Sequence, residues 1–264
     1  MIGGAVRRRR AYRLKPHLQA MNGNPALEQR YLQVKARIRR AAEAAGRAPD
    51  EIRLLAVSKT FDAGSVAELA ASGQLAFGEN YLQEALGKMT ALAHLRAGAS
   101  QPGLQWHFIG PIQSNKTRKI AESFDWVQSL GDERIARRLS EQRPPHLPPL
   151  EVCIQVNASG EVSKSGCLPG QAAALAGVVS RLPNLRLRGL MAIPEPTDDP
   201  VLQRGRAAQM RELFDEIRAG LAGGAQTSDF DTLSMGMSVD LEAAIAQGST
   251  LVRVGSALFG ERKA

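Results

Sequence analysis

The segment Leu55-Ala56-Val57-Ser58-Lys59-Thr60 carries a lysine two residues beyond Val57 and four beyond Leu55. In an extended strand these three side chains share a face, so an amine stands at the end of an apolar row. An amine stripped of water there favours its neutral form and can attack a carbonyl carbon. The competing reading is a lysine that snorkels to solvent from a strand end. Near the other end of the chain, Ser234-Met235-Gly236-Met237-Ser238 precedes a helical pattern opening Val239-Asp240-Leu241-Glu242. Small hydroxyls and a glycine ahead of a helix suit an anion, through free backbone amides and the helix dipole. Ordinary turn chemistry uses the same residue types. Leu251-Val252-Arg253-Val254-Gly255-Ser256 then places an arginine between two valines. A guanidinium buried there needs a partner, either an acid of the protein or an atom of a ligand.

The elements that must position these groups alternate regularly. Leu27, Tyr31, Val34, Ile38 and Ala42 recur at helical spacing over residues 25–46, with Pro25 in the first turn and Gly46 as the stop. Apolar runs then predict strands at 53–58, 75–78, 104–110, 124–129, 150–157, 185–192, 230–235 and 251–254. Helical patterns fall between them at 63–72, 80–97, 114–122, 131–142, 169–182, 200–221 and 239–247. Strict alternation implies parallel strands with right-handed crossovers, and eight units imply a closed (β/α)₈ barrel over residues 23–264. No GxGxxG follows the first strand, which removes the signature of the open dinucleotide-binding sheet. Little chain remains after Gly255 for a full last helix, so helix 25–46 is expected to occupy that place outside the barrel. In such a barrel the site lies where strands end, and phosphate is commonly held by the loops after strands seven and eight. Strands one and eight are neighbours in a closed barrel, so Lys59 and Arg253 are expected at one mouth.

Composition narrows the classes. With 44% hydrophobic and 23% charged residues, a disordered or collagen-like chain is excluded. No apolar run approaches the ~20 residues of a membrane span. Cys153 and Cys167 are the two cysteines; they rule out a disulfide framework and favour a reducing, cytoplasmic setting. No CxxC pair or His/Cys cluster has metal-ligand spacing. The net charge of +8 is concentrated at the start, where Arg7, Arg8, Arg9, Arg10, Arg13 and Lys15 stand without an acid, while the body is nearly neutral. Residues 1–22 are expected to be a disordered basic extension, and Met21 offers a later start. A nucleic-acid or anionic-lipid arm is the competing reading, weakened by the neutral body.

A nucleophilic lysine, a buried arginine and a phosphate cradle at one mouth suit pyridoxal 5′-phosphate, whose aldehyde, ring nitrogen and phosphate each need such a partner. Longer blocks carry a resemblance: Ala56-Val57-Ser58-Lys59-Thr60, Phe77-Gly78-Glu79-Asn80-Tyr81, and Trp106 to Lys116 reading WHFIGPIQSNK. Lys164-Ser165-Gly166, Arg188-Gly189-Leu190-Met191-Ala192-Ile193-Pro194, Leu233 to Ser238 and Gly248 to Gly260 continue it in order. Over about residues 25–261 the chain resembles the pyridoxal phosphate homeostasis proteins, which have the fold of the alanine racemase N-terminal barrel. The resemblance implies that Lys59 carries the cofactor as a Schiff base and that Arg253 faces its ring nitrogen. It implies that Ser234, Gly255 and Ser256 hold the phosphate. Ser238, Asn80 and Met235 complete the expected cofactor-binding set, with Met191 beside Met235 as apolar wall.

An arginine does not give up its proton readily, so a ring nitrogen facing it stays largely unprotonated and the ring is a weaker electron sink. Racemisation would further need a second base, which in the alanine racemases comes from a second domain and a partner subunit. No such domain is expected in this chain, so the resemblance implies a monomeric carrier or buffer of the cofactor rather than an enzyme, with cofactor-dependent apo-enzymes as partners. The alternatives are an amino-acid racemase or another cofactor-dependent enzyme, and a Schiff-base aldolase, against which the first-strand position of Lys59 argues. His107 is expected to be a satisfied interior histidine, Gly110-Pro111 a turn or a close approach to the cofactor, and Lys116 and Lys164 solvated loop lysines.

Overall fold

The apolar runs become eight parallel strands that pair in sequence order and close, β1 returning to β8. The computed structural model describes residues 25–95, 103–158, 165–221 and 229–260. Helix α1 (Pro25–Ala44) precedes β1 (Arg53–Val57), α2 (Ala63–Ala71), β2 (Ala76–Glu79) and α3 (Leu82–Ala91). The next units are β3 (Gln105–Phe108), α4 (Thr117–Ser123), β4 (Trp126–Leu130), α5 (Glu133–Gln142), β5 (Leu150–Val156) and α6 (Pro169–Val179). The barrel closes through β6 (Leu185–Ala192), α7 (Pro200–Gly220), β7 (Thr232–Ser234), α8 (Leu241–Ala246), β8 (Leu251–Val254) and the short α9 (Ser256–Phe259). The eight-strand barrel is the architecture the alternation implies. Strands β6 and β8 fall on the expected residues, whereas β7 is only three residues long and the expected helix 80–97 divides into α3 and a 3₁₀ turn at Ala93–Leu95. The proposed extension at residues 1–22 lies outside the described residues.

Aspartates start several helices. The carboxylates of Asp62, Asp132 and Asp199 accept from the amides of Ser65, Ile135 and Val201 at 2.7, 2.9 and 2.8 Å, satisfying donors the first turn leaves open. The larger apolar layer lies between sheet and helices, with Phe77, Trp106, Val127, Ile154 and Leu190 fully buried. Inside the barrel Trp126, Cys153 and Met191 form a small separate cluster. At the strands' starting end, the guanidinium groups of Arg53 and Arg188 lie 5.3 and 5.1 Å from the Trp126 ring centre. Arg188 also pairs with Glu151 at 3.2 Å and Asp231 at 2.5 Å, which plugs that end with satisfied charge.

Helix α1 fills the outside position that α9 is too short to occupy, packing on α8, α9 and α2. Three arginines fasten this region to the end of the chain. Arg30 Nε donates to the Leu258 carbonyl at 2.6 Å, Arg37 Nη1 to that of Ser238 at 2.8 Å, and Arg47 Nη1 to those of Ile245 and Ser249 at 2.9 and 2.8 Å. No helix among the described residues is long and apolar enough to cross a membrane.

Candidate functional site

Leu55 on β1 pairs with Arg253 on β8, so these side chains stand side by side in one level of the barrel wall. Val57 and then Lys59 continue the Leu55 row toward the mouth. The ends of the two strands touch: a Cβ on Gly255 would sit 3.3 Å from the Val57 carbonyl oxygen. Lys59 is half-buried, and Ser256 is exposed at the first residue of α9. The structure therefore brings Lys59, Arg253, Gly255 and Ser256 to one corner of the mouth, where two neighbouring strands end.

Lys59 occupies the second position of a tight turn. The amide of Phe61 donates to the Ser58 carbonyl at 3.1 Å, and Thr60 takes a φ of +71°. Turns with a positive φ at the third position normally use glycine, because a branched Cβ is crowded there. A threonine held in that geometry marks stored strain, which concentrates at functional sites.

Arg253 is 4% exposed and is one end of a hydrogen-bonded chain across the barrel. Its Nη1 donates to the carbonyl and the hydroxyl of Ser234, and its Nη2 to the carbonyl of Ala192, each at 2.8 Å. The Ser234 hydroxyl donates to Gln128 Oε1 at 2.7 Å, and Gln128 Nε2 lies 2.9 Å from His107 Nδ1. Every acceptor of Arg253 among the described residues is neutral, so none of them makes an internal ion pair with it. Burial pulls its pKa down to about 10, which leaves it protonated at neutral pH. His107 stacks on Trp126 at 5.0 Å, and burial holds it well below the usual histidine range, hence neutral. Its Nε2 is buried without a partner, so the expectation of a satisfied histidine holds for one ring nitrogen only.

The other expected residues divide. Asn80 follows β2 at the mouth, and its Oδ1 is buried without a partner. Gly110 approaches the Asn80 backbone so closely that a Cβ would lie 2.2 Å from its carbonyl oxygen; chain-to-chain contact is the reason for that glycine. Ser238 lies in the loop after β7, which Arg37 ties down through the Ser238 carbonyl while pairing with Glu242. Met235 is a correction. Alternation that turns Ser234 inward turns Met235 outward, and it joins the layer between sheet and helices, beside Ala192, Met210 and Asp240. Met191 does face inward, with Trp126 and Cys153. Cys167 makes an isolated bridge with Val156, and burial pushes its thiol up to about 11. Lys116 ends a 3₁₀ turn and is half-buried, and Lys164 lies outside the described residues. Gln128 was invisible in the apolar run of β4. The buried Lys88 was missed as well, although it stands on the same helix face as Leu82, Ala85 and Leu92, where a lysine is out of place.

Residues 31–263 match the model of the alanine racemase N-terminal domain. A pyridoxal phosphate homeostasis protein of Pseudomonas aeruginosa is 60% identical over 229 residues, covering 87% of this chain and 93% of that protein. One of Escherichia coli is 52% identical over 230 residues, with coverage of 87% and 94%. The solved structure of PipY from Synechococcus elongatus with pyridoxal phosphate bound is 32% identical, with a TM-score of 0.73, covering 89% of this chain and all of that one. The relatives are named for homeostasis rather than for a reaction. With a match that spans the barrel and includes both strand ends of the mouth, the chain belongs to the pyridoxal phosphate homeostasis protein family.

Proposed function

We propose that this protein binds pyridoxal 5′-phosphate through a Schiff base on Lys59 and carries or buffers it inside the cell. The observation that carries the reading is the pairing of β1 with β8, which puts the Lys59 row and the buried cation of Arg253 in one corner. The residues fit the group: among the described residues Arg253 is a buried cation with only neutral partners, and Asn80 brings a buried oxygen without a partner to the same mouth. Bound there, the cofactor would supply an aldehyde for the Lys59 amine and a pyridine ring.

The chain's own residues then have separate tasks. Arg253 presents a fixed positive donor to the ring nitrogen and keeps its proton. Ser234 braces Arg253, its hydroxyl proton being given to Gln128. Gly255 and Ser256, at the start of α9, and Ser238, after β7, offer backbone and hydroxyl donors to the phosphate. A ring left unprotonated is a poor electron sink, so the site favours holding the cofactor over turning over amino acids. Release to cofactor-dependent apo-enzymes, with an indirect effect on amino-acid balance, is the role this supports, and a monomer suffices for it.

The test is an absorption spectrum of the protein with added pyridoxal phosphate, followed by borohydride reduction and peptide mapping. A visible band, and a reduced adduct on Lys59 that Lys59→Ala abolishes, are expected. A protein that stays colourless and yields no adduct would overturn the reading.

A further inference from the structure

Behind the Lys59 turn lies a buried charge cluster that no step of cofactor binding has yet used. Lys88 of α3 is 5% exposed, and its Nζ donates to Glu79 Oε1 at 2.7 Å, to Glu84 Oε1 at 2.5 Å and to the Ser58 carbonyl at 2.7 Å. The Ser58 hydroxyl donates to Glu79 Oε1 at 2.6 Å, and the Thr60 amide donates to Glu84 Oε1 at 2.6 Å. Both neighbours of Lys59 are thus fixed to one cluster: Ser58 through its carbonyl and hydroxyl, Thr60 through its amide. The cluster closes on the residue whose φ is +71°.

Stability alone is a poor reason for this arrangement. Burying an ammonium and a carboxylate is costly, and apolar residues of similar size usually do as well or better. Glu79 is fully buried with Oε2 left unpartnered, so its hydrogen bonding is incomplete as well. What the cluster does specify is the shape of the turn. The Ser58 carbonyl takes both the turn's own amide and Lys88, while Glu84 holds Thr60 in a conformation it would otherwise leave.

We propose that Lys88 and Glu84, seated on Glu79, are positioning residues that lock the Ser58–Phe61 turn and thereby aim the Lys59 amine at the cofactor aldehyde. This rests on the assignment of Lys59 as the cofactor lysine. The order lost when a flexible lysine is fixed at a bond-forming distance is then settled in the folded protein before the cofactor arrives.

Glu84 tests this best, because it is half-exposed and in the first turn of a helix, where alanine is well tolerated. Glu84→Ala, Glu84→Gln, Lys88→Met and the unchanged protein are each titrated with pyridoxal phosphate by absorbance. The rate of band formation, the band's pH titration and the urea midpoint of the cofactor-free protein are measured on the same samples. Glu84→Ala is expected to weaken binding about tenfold, slow band formation by a similar factor and shift the band's pH midpoint. Glu84→Gln, which still accepts from the Thr60 amide, is expected to recover most of that loss. Lys88→Met should act in the same direction if it folds; if it does not, the Glu84 pair decides. Wild-type affinity, rate and pH midpoint in folded Glu84→Ala would overturn the proposal, even with a lowered urea midpoint. A reduced adduct on a residue other than Lys59 in the unchanged protein would instead overturn the lysine assignment, and this proposal with it.

Discussion

One nitrogen of Arg253 lies 2.8 Å from both the carbonyl and the hydroxyl of Ser234. A hydroxyl has one proton, and that of Ser234 goes to Gln128, so the serine stands between a cation and an amide as a bracket. Ser234→Ala strips a donor from Gln128 and an acceptor from Arg253 in a buried place. A loss of about 1–3 kcal/mol is expected from such an orphaned pair, read as a lower urea midpoint at unchanged slope.

Arg253→Met goes further, because the carbonyls of Ser234 and Ala192 lose the guanidinium together. The stability cost should reach about 1–3 kcal/mol for each acceptor left dry. Cofactor affinity should also fall, whereas Lys59→Ala should abolish the band with little change in stability, since Lys59 is half-exposed. Titration of both variants beside their urea curves separates the two roles.

His107 gives a signature in pH. Its folded pKa is depressed by burial, so on acidification the unfolded chain takes up a proton near pH 6.5 that the folded protein refuses. The stability attached to it is complete above that pH and is lost as pH falls toward the folded value, by up to about 1.4 kcal/mol per unit. Glu79, held above the usual carboxylate range by burial, is common to both proteins and cancels in the comparison. Urea midpoints at pH 7.5 and 5.5 should differ less in His107→Leu than in the unchanged protein.

Gly110→Ala probes the mouth without removing a polar group. The new methyl would meet the Asn80 carbonyl oxygen at 2.2 Å, so the loop after β2 must move. Overpacking of this kind costs about 1–3 kcal/mol. Because the displaced residue brings its Oδ1 to the mouth, cofactor affinity should drop together with stability. An unchanged affinity would remove Asn80 from the binding set.

Both cysteines should be inert in the folded protein. Burial pushes Cys153 up to about 12 and Cys167 up to about 11, leaving almost no thiolate at pH 8. Iodoacetamide labelling followed by mass spectrometry should find both thiols free of label in native protein and fully labelled in urea.

The barrel was legible because each strand is a short apolar run between turn residues, and residues 185–192 and 251–254 were read to their ends. Lys59 and Arg253 stood out for a related reason: one is a charge just past an apolar strand and the other a charge within one, and alternation with closure puts them at one mouth. The side on which Met235 falls was already implied by an inward Ser234, since adjacent strand residues face opposite ways. Gln128 and Lys88 are different. A glutamine in a strand is ordinary in sequence, and a lysine on an apolar helix face signals burial without naming its partner; only the register of distant elements shows that one links His107 to Ser234 and the other reaches Ser58.

The seam of the barrel joins segments far apart in sequence: Leu55 meets Arg253, and Arg30 of α1 meets the carbonyl of Leu258, 228 residues away. Contacts that distant form only after the intervening loop has been closed, which makes them slow. On the ribosome, the corner formed by the ends of β1 and β8 cannot exist until β8 has emerged. A chain still lacking β8 would thus expose the Lys59 amine without the Arg253 wall, and the aldehyde capture proposed for Lys59 would arrive together with that strand.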